Sequence, residues 1–260
     1  MKTFRMIGMA LIAVLVCENL TSCSKEDIPQ YEIITTGKKI KKITMRDSFL
    51  GESFVRYAEY DFKYDDTGKL IEITHNYGDD VHKYDYVWSS DAVNSYTLKD
   101  GLIRSCGDRN VRYSVEKPVE IRPQSSVCTY YEIVWSDNND GLSRMGTYYY
   151  EVNRGKLKRS LRFSYDEKSM TCNNYNPIVP IVLSEGFNQD LLCVAHPELV
   201  NARTNELPTK FILEFPGSIS KPIQGICSYG FDNDGYVVYF SMMDYDSWDT
   251  HTATYDITWE

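Results

Sequence analysis

The chain contains no C-x-x-C pair, no H-E-x-x-H, no G-x-S-x-G elbow, and neither a P-loop nor a G-x-G-x-x-G run. Each of these patterns places reactive groups at a fixed spacing, so their absence leaves zinc-finger, zinc-protease, serine-hydrolase and nucleotide chemistry without a motif. Basic charge is scarce as well: 28 Lys and Arg face 37 Asp and Glu, for a net charge of −9. Nucleic-acid binding depends on Lys and Arg to neutralise phosphates, and that function class is excluded. Long apolar runs are missing too. The uncharged apolar segment Met6 to Val16 falls well short of the roughly 20 residues a helix needs to cross a bilayer.

That stretch follows Lys2 and Arg5 and precedes Leu20-Thr21-Ser22-Cys23. A basic start, a short apolar segment and small residues describe an export signal that is later removed. Leu20 to Cys23 resembles the bacterial lipobox, in which an aliphatic residue and two small ones lead a cysteine to the lipidation enzymes. The resemblance implies a signal peptide over residues 1–22, a lipidated tether over 23–33 and a single domain over 34–260. It also implies acylation at Cys23, and each buried CH₂ adds about 0.8 kcal/mol of membrane affinity. Ser24 is not aspartate, so the enterobacterial inner-membrane retention signal is absent. Ser24-Lys25-Glu26-Asp27 resembles the lysine-plus-acid tag of surface-exposed Bacteroidetes lipoproteins, although it also suits a solvated tether. The expected location is the outer membrane, facing either the cell surface or the periplasm. Five further cysteines, Cys106, Cys128, Cys172, Cys193 and Cys227, are widely spaced and odd in number. One or two disulfides and buried free thiols both fit.

Downstream, apolar residues alternate with period two. Ala58, Tyr60, Phe62 and Tyr64 share one face with Arg56, opposite Glu59, Asp61 and Lys63. Leu157, Leu161, Phe163 and Tyr165 alternate with polar neighbours, as do Ala253, Tyr255, Ile257 and Trp259. These are half-buried strands. Between such runs stand Asp66-Thr67-Gly68, Asp100-Gly101, Asn139-Asp140-Gly141, Asn153-Arg154-Gly155 and Asp234-Gly235, the residues of tight hairpin turns. The pattern predicts an all-β fold: a single antiparallel meander of hairpins forming a strongly curved or barrel-like sheet. Six of the nine prolines lie between Asn173 and Gly225. Proline cannot donate to a ladder, so the proline-rich excursion near 173–225 reads as a cover over one end or edge of the sheet. Within it, Lys210 to Phe215 reads as a strand, and Asn188 to Val194 as one or two helical turns.

Tyr60 to Leu70 and Tyr229 to Val237 share the pattern aromatic-x-aromatic, acidic turn, glycine, aliphatic. Tyr64-Asp65-x-x-Gly68-Lys69-Leu70 resembles the YD-type repeat of bacterial cell-surface proteins. With the lipobox, the sheet-rich body and Asn205-Glu206-Leu207-Pro208-Thr209-Lys210, the mature chain resembles an uncharacterised Bacteroidetes lipoprotein family, a domain of unknown function with a porin-like fold. The resemblance supplies no catalytic residues. A porin-like fold permits an apolar face turned out to lipid or in to a core. A lipid anchor is redundant on an embedded wall, which favours the inward arrangement.

Candidate sites are few. His75 and His82 can face each other across Tyr77 to Val81, but ordinary hairpin residues explain them better than a metal site with Asp79 or Asp80. Asp232-Asn233-Asp234-Gly235 begins like a calcium loop and lacks its later ligands, so a plain turn fits. In Asp244-Tyr245-Asp246-Ser247-Trp248-Asp249-Thr250, an aromatic pair at a hairpin tip gains nothing from burial there. Tyr245 and Trp248 suit stacking on a sugar face while Asp246 and Asp249 accept hydroxyl bonds; the alternative folds Trp248 back onto the sheet. The chain therefore reads as a non-catalytic binding module for a glycan, peptide or partner protein. No cofactor and no metal are expected, and its membrane contact is through Cys23. A structural surface or adhesin component and an envelope hydrolase with paired carboxylates are the alternatives. Replacing Cys23 with alanine is expected to move the protein from the membrane to the soluble fraction and to abolish incorporation of labelled fatty acid. Unchanged fractionation would refute the anchor.

Overall fold

The computed structural model describes residues 37–48, 56–114, 116–123, 130–135, 141–151, 154–166, 171–172, 174–187, 190–217, 221–244 and 252–260. The chain divides into Met1–Glu32 and Ile33–Glu260, and the sheet belongs to the second unit. Its strands are β1 (Ile40–Asp47), β2 (Arg56–Tyr64), β3 (Leu70–Tyr77), β4 (Asp80–Asp85), β5 (Ala92–Val93), β6 (Tyr96–Lys99), β7 (Leu102–Cys106) and β8 (Arg109–Ser114). They continue as β9 (Lys117–Pro123), β10 (Tyr130–Trp135), β11 (Leu142–Glu151), β12 (Arg154–Ser164), β13 (Lys210–Glu214), β14 (Ile223–Phe231), β15 (Val237–Asp244) and β16 (Thr252–Trp259). Every pair is antiparallel, and sequential strands are neighbours with one exception: β1 pairs with β16, and β4 and β5 form the two edges. The sheet curls without closing, and its seam lies between β4 and β5 rather than between the chain ends.

The expected alternation sets the faces. Ala58, Tyr60 and Phe62 of β2, Ala253 and Ile257 of β16 and Phe211 and Leu213 of β13 are buried in one core. The opposite face carries cross-strand ion pairs, Lys42 with Glu59 at 3.0 Å, Arg144 with Glu132 at 2.7 Å and Arg162 with Glu214 at 2.5 Å. Exposed pairs of this kind add at most about 1 kcal/mol each, but they fix the polarity of the wall. A bilayer-spanning barrel turns its apolar band outward; these strands turn theirs inward.

The proline-rich excursion occupies a different place from the one expected. It folds as α1 (Ile178–Ser184), a 3₁₀ turn Glu185–Phe187, α2 (Leu192–Ala195) and a second 3₁₀ turn Pro197–Val200. Ile178, Leu183, Leu192, Leu199 and Val200 are nearly inaccessible and belong to the same core as the strands. Instead of covering an end or edge, the segment packs against the inner face. The reason is geometric: about eight strands make a barrel that side chains can fill, and sixteen leave a lumen that they cannot. Helical turns satisfy their own backbone, so prolines that would break a ladder are harmless there.

His196 fastens this filling to the wall. Its ring is fully buried, Nε2 accepts the Leu70 N–H at 3.0 Å, and Nδ1 faces Glu198 Oε1 at 2.9 Å. Trp88 meets the ring edge-on at 5.2 Å. Further along, Arg109 donates to the Gly186 carbonyl, Lys117 Nζ to the carbonyls of Asn201 and Arg203, and Tyr86 to Asp190. The described cysteines Cys106, Cys172, Cys193 and Cys227 are free thiols. Burial pushes Cys227 up to about 12 and raises the other three as well, which leaves them protonated and inert. Cys128 lies outside the described residues.

The shared turn motif has one geometry at both positions. Asp65 Oδ1 accepts the N–H groups of Thr67 and Lys69, as Asp232 Oδ1 accepts those of Asp234 and Tyr236. Gly68 and Gly235 take φ of +90° and +82°, a region glycine enters without steric cost.

A second regularity runs around the sheet at this turn end. The first residue of β1, Ile40, offers its carbonyl to Tyr64 Oη of β2; Leu70 of β3 offers its own to Trp88 Nε1, and Ile103 of β7 to Tyr113 Oη. Pro118 of β9 accepts from Trp135, Leu142 of β11 from Tyr165, Pro208 before β13 from Tyr229 and Val237 of β15 from Trp259. In seven of eight consecutive strand pairs, an aromatic at the end of the second strand closes the carbonyl at the start of the first. Leaving such a buried carbonyl unpaired costs about 1–3 kcal/mol. Trp135→Phe, which keeps the ring and removes the N–H, is expected to lower the unfolding free energy by about 1–3 kcal/mol in urea melts. An unchanged midpoint would show that the bond contributes nothing.

Candidate functional site

The two ends of the sheet differ. Chain entry at Gly37–Lys39 and the tight turns at Asp65–Lys69, Asp100–Gly101 and Asp232–Tyr236 lie at one end, with Lys39 and Glu260 exchanging backbone hydrogen bonds. At the other end stand Ser48, the β3–β4 turn at Gly78–Asp79, and Asp244 and Thr252. A cavity of about 380 Å³ opens near this second end, between β1–β4, β16 and the internal helical segment.

Its floor is apolar, with Ile43 from the wall against Ile181 of α1 and Leu191. An aromatic wall rises from it. Tyr60 stacks on His75 with centroids 4.5 Å apart and planes 9° from parallel, and Tyr255, packed face to face on Phe240 at 4.4 Å, stands beside them. Toward the rim come Tyr77, 40% exposed, and His82, with Asp47 and Ser184 as polar lining. Register explains the grouping. Tyr60 lies opposite His75 across β2–β3, and His75 lies opposite His82 across β3–β4, so three ring side chains share one row of the inner face.

Within that row His75 Nε2 is buried and makes no hydrogen bond. Burial and, secondarily, the neighbouring His82 hold the His75 imidazole below the ordinary histidine range, since both penalise its charged form. The protonated ring is thus favoured less in the folded than in the unfolded chain, and this residue opposes folding as pH falls through its range.

A second cavity, about 440 Å³, lies at the turn end among Lys38, Lys39, Glu198 and Arg203. It is larger, but its charges are already committed. Lys38 Nζ bridges Asp232 at 2.7 Å and Asp234 at 2.5 Å, Lys39 sits over the Tyr64 ring, and Arg203 faces Glu198 at 3.7 Å. The same bridge resolves Asp232-Asn233-Asp234-Gly235 as a turn whose carboxylates hold an ammonium group. The cavity beside His75 is therefore the better candidate site.

Of the residues singled out in the sequence, Cys23, Tyr245, Asp246, Trp248 and Asp249 lie outside the described residues. Their flanks are described: Thr252 exchanges hydrogen bonds with Ser48 through Ser48 Oγ at 2.7 and 3.1 Å, next to the cavity residue Asp47. The facing of His75 and His82 is as the hairpin suggested. Ile181, Ser184 and Leu191 carried no signal, because they reach the site through a long-range insertion that periodicity does not encode. In a ¹H–¹⁵N titration, His75 is expected to titrate below the ordinary histidine range, and His82→Ala to move it upward. A normal value untouched by that substitution would contradict the geometry.

No protein-family model and no curated protein matches the chain. The lipoprotein-family and YD-repeat resemblances thus rest on the motifs quoted above. Two solved structures are similar: a porin-like protein from Bacteroides uniformis, 12% identical with a TM-score of 0.53, covering 85% of this chain and 96% of that one, and a porin-like protein from Bacteroides vulgatus, 15% identical with a TM-score of 0.55, covering 85% and 98%. At this level of identity the likeness is one of fold.

Proposed function

We propose that the protein is an outer-membrane lipoprotein, anchored through acylated Cys23, whose domain is a non-catalytic module that binds a glycan at the cavity beside His75. One observation carries the reading: the cavity and the chain entry stand at opposite ends of the sheet. The described chain begins at the turn end, opposite the cavity, which supports a reading in which the anchor leaves the cavity accessible. The lining suits a sugar ring. Tyr77 offers an exposed face for stacking, Asp47 and His82 offer polar partners, and the floor is apolar. Asp244 and Thr252, which flank Tyr245, Asp246, Trp248 and Asp249 in the sequence, stand at the same end of the sheet.

The tag-like Ser24-Lys25-Glu26-Asp27 supports a surface-facing orientation. A hydrolase draws little support from the cavity, where Asp47 is the single carboxylate among the described lining residues. A structural or adhesin role has one observation in its favour. All six residues of edge strand β4 are exposed, Val81 to 60%, and an open edge can pair with a foreign strand. Glycan arrays followed by calorimetry separate the readings: a bound glycan should lose about tenfold or more in affinity with Tyr77→Ala and with Trp248→Ala, since an aromatic anchor at a binding site contributes upward of 1.4 kcal/mol. Binding that survives both changes moves the site elsewhere, and capture of strand-forming peptides with no glycan bound favours the edge.

A further inference from the structure

We infer that His75 and His82 form a two-nitrogen site for a late first-row divalent metal ion, with Cu²⁺ held tightest. The two residues are direct register partners on antiparallel β3 and β4, and both line the cavity. Their ring centroids are 6.2 Å apart with planes tilted by 37°. Metal–nitrogen bonds of about 2 Å place two imidazoles sharing one ion at centroid separations of roughly 5–6 Å. A small rotation of exposed His82 on edge strand β4 covers the difference. His75 is preset by its stack on Tyr60.

Two features separate this pair from ordinary hairpin residues. His75 Nε2 is buried without any hydrogen-bond partner, a condition that costs free energy unless a ligand supplies the missing interaction. The same burial favours the neutral ring, the form that ligates. Neutral imidazole suits copper, nickel and zinc, whose affinities at one site follow Cu²⁺ above Ni²⁺ and Zn²⁺. Among the described residues no third His, Cys, Asp or Glu completes a cluster. The protein therefore supplies two donors, and the remaining coordination positions open toward the cavity and take water or a ligand oxygen.

The proposal stands apart from the glycan reading, because the probe is the metal alone. Titrating the full-length protein with Cu²⁺ in the absence of sugar should give one equivalent bound, with electron paramagnetic resonance showing hyperfine splitting from two imidazole nitrogens. Because even outer-shell changes around a bound metal cost about tenfold or more, His82→Ala and His75→Gln should each weaken Cu²⁺ by at least that factor and lose one nitrogen from the spectrum. His251→Ala should leave both readings unchanged. His82 is exposed, so its variant folds whatever the fate of His75→Gln, and a circular-dichroism melt checks each. Absence of stoichiometric binding, or a two-nitrogen spectrum that persists in His82→Ala, overturns the site; a spectrum lost in His251→Ala assigns the metal elsewhere and overturns it as well.

Discussion

The structure depends on how each strand start disposes of its carbonyl. A meander of hairpins leaves a backbone oxygen at the root of every rising strand, where the ladder ends and the interior begins. In a sheet with its apolar face inward, that oxygen is shielded from water and costs free energy if unpaired. The chain meets this requirement with aromatic donors, which close the carbonyl of Ile40, Leu70, Ile103, Pro118, Leu142, Pro208 or Val237 from the end of the following strand. Indole and phenol suit the task because one side chain adds apolar area to the core and a donor at its tip. Four tyrosines, Tyr64, Tyr113, Tyr165 and Tyr229, and three of the four tryptophans, Trp88, Trp135 and Trp259, serve it.

Where the seam falls, the requirement is met twice over. Leu70 begins β3, next to the edge strand, and both of its backbone polar groups are closed by side chains: the carbonyl by Trp88 and the N–H by His196. Since His196 comes from the internal helical segment, this contact ties the filling of the sheet to the wall at the point where no further strand is available. Glu198 holds the other ring nitrogen, which directs its proton outward and leaves Nε2 free to accept. On β4 itself, Asn94 continues the edge by hand: its side-chain amide donates to the Asp85 carbonyl and accepts from Val87 N–H. The open edge that remains is short, in keeping with how edge strands avoid uncontrolled pairing.

Strand faces and turns were legible in the sequence because both are local. Period-two alternation placed Ala58, Tyr60 and Phe62 inward, and Asp-x-x-Gly marked turns whose geometry repeats at Asp65 and Asp232. Counting back from the first of those turns pairs Tyr60 with Thr74; the register shift between Lys63 and Tyr64 moves its partner to His75, so the stacked row at the cavity is legible only once that bulge is known. The interior position of residues 174–200 was not. Proline density says that a segment avoids ladders, but an external cover and an internal filling avoid them equally. What decides is the strand number, sixteen, and the lumen it leaves. The aromatic locks escaped for a related reason: donor and acceptor stand 10 to 24 residues apart, too far for a local motif and too variable for a fixed period.

These constraints divide the labour between the two ends. At the turn end, aromatic locks, compensated charges and the His196 contact leave little polar capacity unspent, and substitutions there should be felt as lost stability. Away from the locks, the rings of Tyr60, His75 and His82 pack in one row, and His75 Nε2 is buried with no hydrogen-bond partner. A buried polar atom without a partner is a cost that the fold does not need for its own sake, because an apolar ring of similar shape would stack on Tyr60 as well. The stability secured at one end is what allows that cost to persist at the other, and the place where it persists is where a ligand has most to add.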